Sequence, residues 1–277
     1  DKMTYAANTN LLAEFKKYSN FSFVQCDINE LKFLYDCDYV INTAAETHVG
    51  NSISNSDDFV SSNINGVHNL LELIRNYRQE NTKVPTLLHF STDEVYGDIV
   101  DGAHTEEDIL KPSNPYSATK AAAEMIVGSY ARCYNMPIII TRGNNVYGPN
   151  QYPEKIIPKF IKLLKSNKKV TVHGDGSYVR AFLHSYDTAT AFELILHKGV
   201  IGEIYNVGCH DEYSIMDITT KIIKLVKKTD DYSKWIEYVE DRAYNDIRYY
   251  MDNIKLKNLG WVIVKKFDEE LKKICYN

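Results

Sequence analysis

Through the first two thirds of the chain, short apolar runs alternate with longer stretches whose apolar residues recur every three or four positions. The segments FSFVQCD (21–27), DYVINTAA (38–45), TLLHFST (86–92) and MPIIITR (136–142) read as strands. Between them, NINGVHNLLELIRNYRQ (63–79) and PYSATKAAAEMIVGSYARCY (115–134) read as amphipathic helices. This alternation predicts an α/β fold, a doubly wound parallel sheet covered on both faces. In such sheets the working residues gather beyond the C-terminal ends of the strands, at the crevice where strand order reverses.

After Gly148-Pro149 the rhythm changes. A Pro-punctuated helix (154–169), the strand-like VTVHGDG (170–176), a helix near 188–198, the short IYNVG (204–208) and further charged helices predict a smaller α/β lobe packed over the strand ends. The expected division is therefore 1–148 for the sheet domain and 149–277 for the smaller lobe, with a helix near 185–198 returning to the sheet.

Composition narrows the function. The 277 residues carry 32 Lys plus Arg against 37 Asp plus Glu, a formal charge of −5, so a dedicated nucleic-acid binder is not expected. A hydrophobic share of 44% with 25% charged residues is ordinary for a globular chain. No apolar run approaches the roughly 20 residues that cross a bilayer, and the first residues lack the apolar core of a signal peptide. The expectation is a soluble, cytoplasmic protein. Its five cysteines show no CxxC spacing, and its histidines form no HxH or HExxH pattern, so neither a disulfide framework nor a metal site is expected.

Two constellations carry chemistry. In Tyr116-Ser-Ala-Thr-Lys120, residues four apart on a helix share one face, and a nearby ammonium stabilises phenolate, lowering a tyrosine pKa toward working pH. Such a tyrosine can exchange a proton with a hydroxyl while hydride leaves the same carbon. In His89-Phe-Ser-Thr92-Asp93-Glu94-Val-Tyr-Gly97, a strand runs into a hydroxyl and two adjacent carboxyls, which can divide acid and base roles if their environments separate their pKa values. Each motif alone also suits a surface helix or a capped turn. A dinucleotide-binding domain should open with a strand, a Gly-rich turn and a helix, and this sequence contains no such turn. Either the numbering begins after a missing segment or half of the cofactor cradle is lacking.

Taken together, STDEVYG, NPYSATK and NNVYGPNQYPEKIIPKFI resemble the extended short-chain dehydrogenase/reductases, and within them the nucleotide-sugar 4,6-dehydratases. The resemblance runs from Asp1 to Trp261; Thr-Asp-Glu at the strand end is its most selective part. It implies a Rossmann-like fold, an NAD cofactor, a homodimer and a nucleotide-linked hexose such as dTDP-glucose as substrate. Tyr116, helped by Lys120 and Thr92, is implied to take the C4 hydroxyl proton, Glu94 the C5 proton, and Asp93 to protonate the departing C6 hydroxyl. Cofactor contacts are implied at Asp1, Asp27, Ile28, Thr43, Ala44 and Ala45, together with Tyr116 and Lys120. Substrate contacts are implied at Glu46, His48, Thr92, Asn145, Glu154, Lys155, Arg180, Asn206 and Arg242, and Asn63 and Gly66 are implied to be structural.

The sequence departs from the family at Gly50, Ala181 and Ala243, and the stretch 27–38 is short. Two alternatives stay open: a UDP-sugar 4-epimerase or decarboxylase of the same family, and a non-catalytic sugar-nucleotide-binding module.

Overall fold

The computed structural model describes residues 1–80, 83–241 and 246–276. Four strands, β1 (Tyr39–Asn42), β2 (Thr86–Thr92), β3 (Ile138–Gly143) and β7 (Ile204–Val207), form a parallel sheet in the order β1-β2-β3-β7. The register pairs Leu88 with Ile139 and Thr92 with Gly143, so β2 and β3 end level.

Alternation along β2 sends its side chains to opposite faces. Leu87, with Ile138 and Ile140 of β3, packs under α4 (Gly66–Glu80) and α5 (Pro115–Tyr134) through Leu71, Ile74, Ala123 and Val127. Leu88 and Ile139 pack on the other face against Ala191, Phe192 and Ile195 of α7 (Ser185–Lys198), with Leu256 of α9 (Ile254–Asn258) and Trp261 closing the layer. The helix at 185–198 thus lies on the main sheet, where Phe192 meets Phe90 edge-on at 5.0 Å.

Helix α5 begins where the sequence says it should. Asn114 accepts from the Ser117 amide and Ser117 returns the bond to Asn114, Pro115 fills the first turn, and Asn135 ends the helix in the left-handed region. Small residues on its inner face let it lie close to the sheet.

The second lobe has its own core. β4 (Asn145–Tyr147), β6 (Val179–His184) and β8 (Glu212–Ser214) form one small sheet, and β5 (Val170–His173) pairs with β9 (Ile236–Val239). Helices α6 (Ile156–Lys165), α8 (Ile215–Lys227) and α10 (Phe267–Tyr276) bury Ile157, Leu164, Ile218, Ile222 and Leu271 against them. Short helices α1 (Thr9–Phe15), α2 (Val49–Ser54) and α3 (Asp57–Val60) complete the first lobe. Among the described residues no helix is long and apolar enough to cross a membrane.

One predicted strand is absent. Residues 21–27 join no ladder; their backbone meets the first residues instead, with the Cys26 amide bonded to the Asp1 carbonyl at 3.2 Å, and Val24 stays 45% exposed. Apolar periodicity shows that a segment is extended, but a strand also needs a neighbour in register. The stretch 27–38 contains a turn rather than a helix.

Candidate active site

A cleft of about 500 Å³ opens beyond the C-terminal ends of β2 and β3, between the two lobes. Strand β2 delivers Thr92, and the following turn of helix presents Asp93 and Glu94. Helix α5 brings Tyr116 and Lys120 to the same cleft from its first two turns. The strand-end motif and the helix motif therefore meet, 20 residues and more apart in sequence.

Neighbouring carboxyls are held by different partners. The Asn114 amide donates to Glu94 Oε2 at 3.2 Å, so the helix cap also fixes this carboxyl. Asp93 lies deeper, with Oδ2 accepting from Asn144 Nδ2 at 2.8 Å and Oδ1 from the Thr92 hydroxyl at 3.1 Å. Burial, reinforced by the Asp93 charge beside it, pushes the Glu94 carboxyl up to about 7. Burial raises Asp93 as well, opposed by the bonds from Asn144 and Thr92.

The phenol corrects one expectation. Burial and then the Glu94 charge raise the Tyr116 pKa, against a lowering hydrogen bond with Thr92. Lys120 does not lower it, because the ammonium is turned onto the Phe90 carbonyl at 2.7 Å. Desolvation brings that ammonium itself down to about 8, partly offset by Glu124.

Around this centre the cleft wall includes Thr43, His48, Asn145, Glu154, Lys155 and Arg180. His48 caps α2 through Nδ1, 3.1 Å from the Asn51 amide. Lys155 bonds to both oxygens of Thr47 at 2.9 Å, and Glu154 accepts from the Tyr5 hydroxyl at 2.7 Å. The Arg180 guanidinium sits 4.5 Å over the Tyr249 ring and donates to the Asp246 carbonyl at 2.9 Å.

A second cleft of about 410 Å³ adjoins the first beside the edge strand β1, lined by Asp1, Asp27, Ile28, Ala44, Ala45 and Glu46. Carboxylates, an aliphatic wall and two side chains of minimal size suit the hydroxyls and flat base of an adenosine. Asp27 is held low by the Asn29 amide. Asn63 brackets Glu46 through both its backbone amide and carbonyl, and a Cβ on Gly66 would lie 2.3 Å from Ile28, which gives these two residues structural work.

Asn206 lies apart from both clefts. Its side chain accepts from Tyr96 Oη at 2.7 Å and donates to the His104 carbonyl at 3.4 Å, and its backbone amide bonds Glu106 at 2.9 Å, so the strand interior consumes it. Arg242 and Ala243 fall outside the described residues. Sequence reasoning missed Asn114, Asn144, Asp246 and Tyr249; the adjacent Asn144-Asn145 pair at the end of β3 was the one available signal, since strand ends form the rim.

Comparison with known proteins agrees with this geometry. The profile of the family described as GDP-mannose 4,6 dehydratase matches residues 1–274. A trifunctional UDP-glucose 4,6-dehydratase/UDP-4-keto-6-deoxy-D-glucose 3,5-epimerase/UDP-4-keto-L-rhamnose-reductase of Arabidopsis thaliana is 46% identical over 99% of this chain, which spans 41% of that protein. The chain thus covers about two fifths of the length of the plant relatives it matches. The human dTDP-D-glucose 4,6-dehydratase is 40% identical over 99% of this chain and 79% of its own. The crystal structure of a Streptomyces venezuelae dTDP-glucose 4,6-dehydratase with NAD bound superposes with a TM-score of 0.92 at 33% identity, over 100% of this chain and 85% of that one.

Proposed function

We propose, from the premise that this chain belongs to the nucleotide-sugar 4,6-dehydratases of the extended short-chain dehydrogenase/reductase family, that it converts dTDP-glucose to the 4-keto-6-deoxy sugar with loss of water. The observation that carries this reading is the junction of Thr92 and Glu94 with Tyr116 and Lys120 in one cleft, with Asp93 buried behind Thr92 and a carboxyl poised near neutrality.

The adenosine of NAD would lie against Asp1, Asp27 and Ile28, and its nicotinamide ribose near Thr43, Ala44, Ala45, Tyr116 and Lys120. When bound, NAD⁺ would supply a hydride acceptor for C4, the positive charge that phenolate formation at Tyr116 needs, and later the hydride for C6. Tyr116 takes the proton of the C4 hydroxyl, steadied by Thr92. A ketone at C4 acidifies the hydrogen on C5, and Glu94 removes it as carboxylate. The C5–H electron pair forms a C5–C6 double bond as the C6 oxygen departs, and Asp93 supplies the proton that turns it into water. His48, Asn145, Glu154 and Lys155 face the sugar and diphosphate, with Arg180 at the diphosphate, where a planar guanidinium suits paired oxygens.

The chain pairs with a second copy through the outer sides of α4 and α5, where Met125 is 61% exposed and Tyr134 41% exposed, and it acts in the cytoplasm. Sedimentation of the purified chain tests the pairing.

Incubation with dTDP-glucose and NAD⁺, read by product mass and the alkaline absorbance of keto-sugars, tests the function. Loss of one water without net NADH supports it, and UDP-glucose is the next comparison. A change at C4 with no loss of mass moves the assignment to epimerisation, which has no use for the Asp93-Glu94 pair. Cofactor-free binding without turnover leaves a binding module.

A further inference from the structure

Asn144 follows β3 at the rim of the cleft and is only 5% exposed. Its Oδ1 accepts from the Cys209 backbone amide at 2.9 Å, and its Nδ2 donates to Asp93 Oδ2 at 2.8 Å. The first bond fixes which end of the side-chain amide is which, because a main-chain N–H can only donate. Reversing the amide would set its NH₂ against the Cys209 N–H and its oxygen against the Asp93 carboxyl. The space around the oxygen is also closed: a Cβ on Gly208 would stand 2.3 Å from Asn144 Oδ1 and 2.8 Å from Met251 Cε.

In a carboxylic acid the carbonyl oxygen is the better acceptor, so the fixed donor on Oδ2 of Asp93 favours the acid form with its hydrogen on Oδ1. That oxygen lies beside the Thr92 hydroxyl, at 3.1 Å, and Thr92 lines the cleft. The Thr92 hydroxyl, unlike the amide, can turn to receive that hydrogen.

We propose that Asn144 is a positioning residue for Asp93, biasing the acid proton to Oδ1, the oxygen beside Thr92. The proposal rests on the reading of Asp93 as the acid of a 4,6-dehydration. In that step the proton leaves Oδ1 for the departing C6 oxygen while the C6–O bond breaks and Glu94 receives the C5 proton. One water forms, and the carboxylate left on Asp93 accepts from Asn144 and Thr92 together. Burial of Asp93 favours the protonated state from which the step begins.

A leaving group that needs no proton isolates this role. Asn144→Ala should lose about 10²-fold in turnover of dTDP-glucose yet stay within about threefold of wild type on the 6-deoxy-6-fluoro analogue, where fluoride departs unaided. Enzyme-bound NADH should accumulate with dTDP-glucose and not with the analogue, since oxidation is untouched and elimination stalls. An equal loss on both substrates would overturn the proposal, because that is what a merely structural asparagine gives. If Asn144→Ala fails to fold, Gly208→Ala displaces the same amide oxygen and must show the same split. Should the wild-type chain dehydrate neither sugar, the functional reading fails first, and that result is distinct from equal losses in the variants.

Discussion

Lys120 donates to the main-chain carbonyl of Phe90 at 2.7 Å, tying α5 to β2 two residues before Thr92. The bond holds the ammonium in a desolvated place where its pKa falls to about 8. Across the cleft Glu94 rises to about 7, so the carboxylate that accepts a proton forms only as pH climbs through that value. Turnover should therefore rise as pH climbs through about 7, measurable as initial rates of keto-sugar formation across the pH range. A rising limb at the ordinary glutamate value of 4.5 would remove Glu94 from the role of base.

Tyr116→Phe should reduce turnover by about 10²- to 10⁴-fold. The ring would keep its edge contact with Phe59, 6.3 Å between centroids, so the unfolding midpoint should hardly move. Single-turnover absorbance of NADH checks the step: reduction at the wild-type rate would show that another group takes the C4 proton.

Glu94→Gln should separate activity from stability. The folded-state pKa lies above the ordinary value, so folding favours the protonated carboxyl; that contribution is complete below pH 4.5 and fades as pH rises through about 7. A neutral amide does not ionise. The variant should match wild type near pH 4.5 and exceed it near pH 8, by on the order of 3 kcal/mol. Urea unfolding at both pH values measures this, and a stability difference independent of pH would contradict it.

Beneath the cleft, Arg142 of β3 meets Glu124 of α5 in a buried fork, with Nη2 at 2.7 Å and Nε at 3.1 Å from Oε2. Arg142→Met leaves the Glu124 carboxylate buried without its partner and should destabilise the fold by about 3–5 kcal/mol. Combining it with Glu124→Leu should recover part of that loss, as urea midpoints would show.

Much of this architecture was legible because its signals are local. The pattern of 115–134 carries its own cap, its own stop and its own apolar stripe, and the helix spans those residues. Tyr116 and Lys120 declare their shared face through spacing, and Thr92-Asp93-Glu94 its place at a strand end. What spacing cannot carry is surroundings. The phenol moves opposite to the simple pairing argument because burial and Glu94 outweigh an ammonium turned toward Phe90. Asn206 belongs to the Tyr96 and Glu106 network, and no run of neighbours in sequence announces a bond spanning 110 or 100 positions. Residues 21–27 have the composition of a strand and lack a ladder, a property of the pairing surface and not of the segment.

Helix α5 carries Tyr116, Lys120 and Glu124 at intervals of four, two facing the cleft and the third gripping Arg142. An inserted or deleted residue turns everything beyond it by about 100°. One such event between Lys120 and Glu124 would swing the carboxylate off its arginine, and one before Lys120 would take the ammonium from Phe90. This helix should admit no change of length, whereas the loop from Gly97 to Lys111 can absorb insertions wherever its anchors at His104 and Glu106 survive.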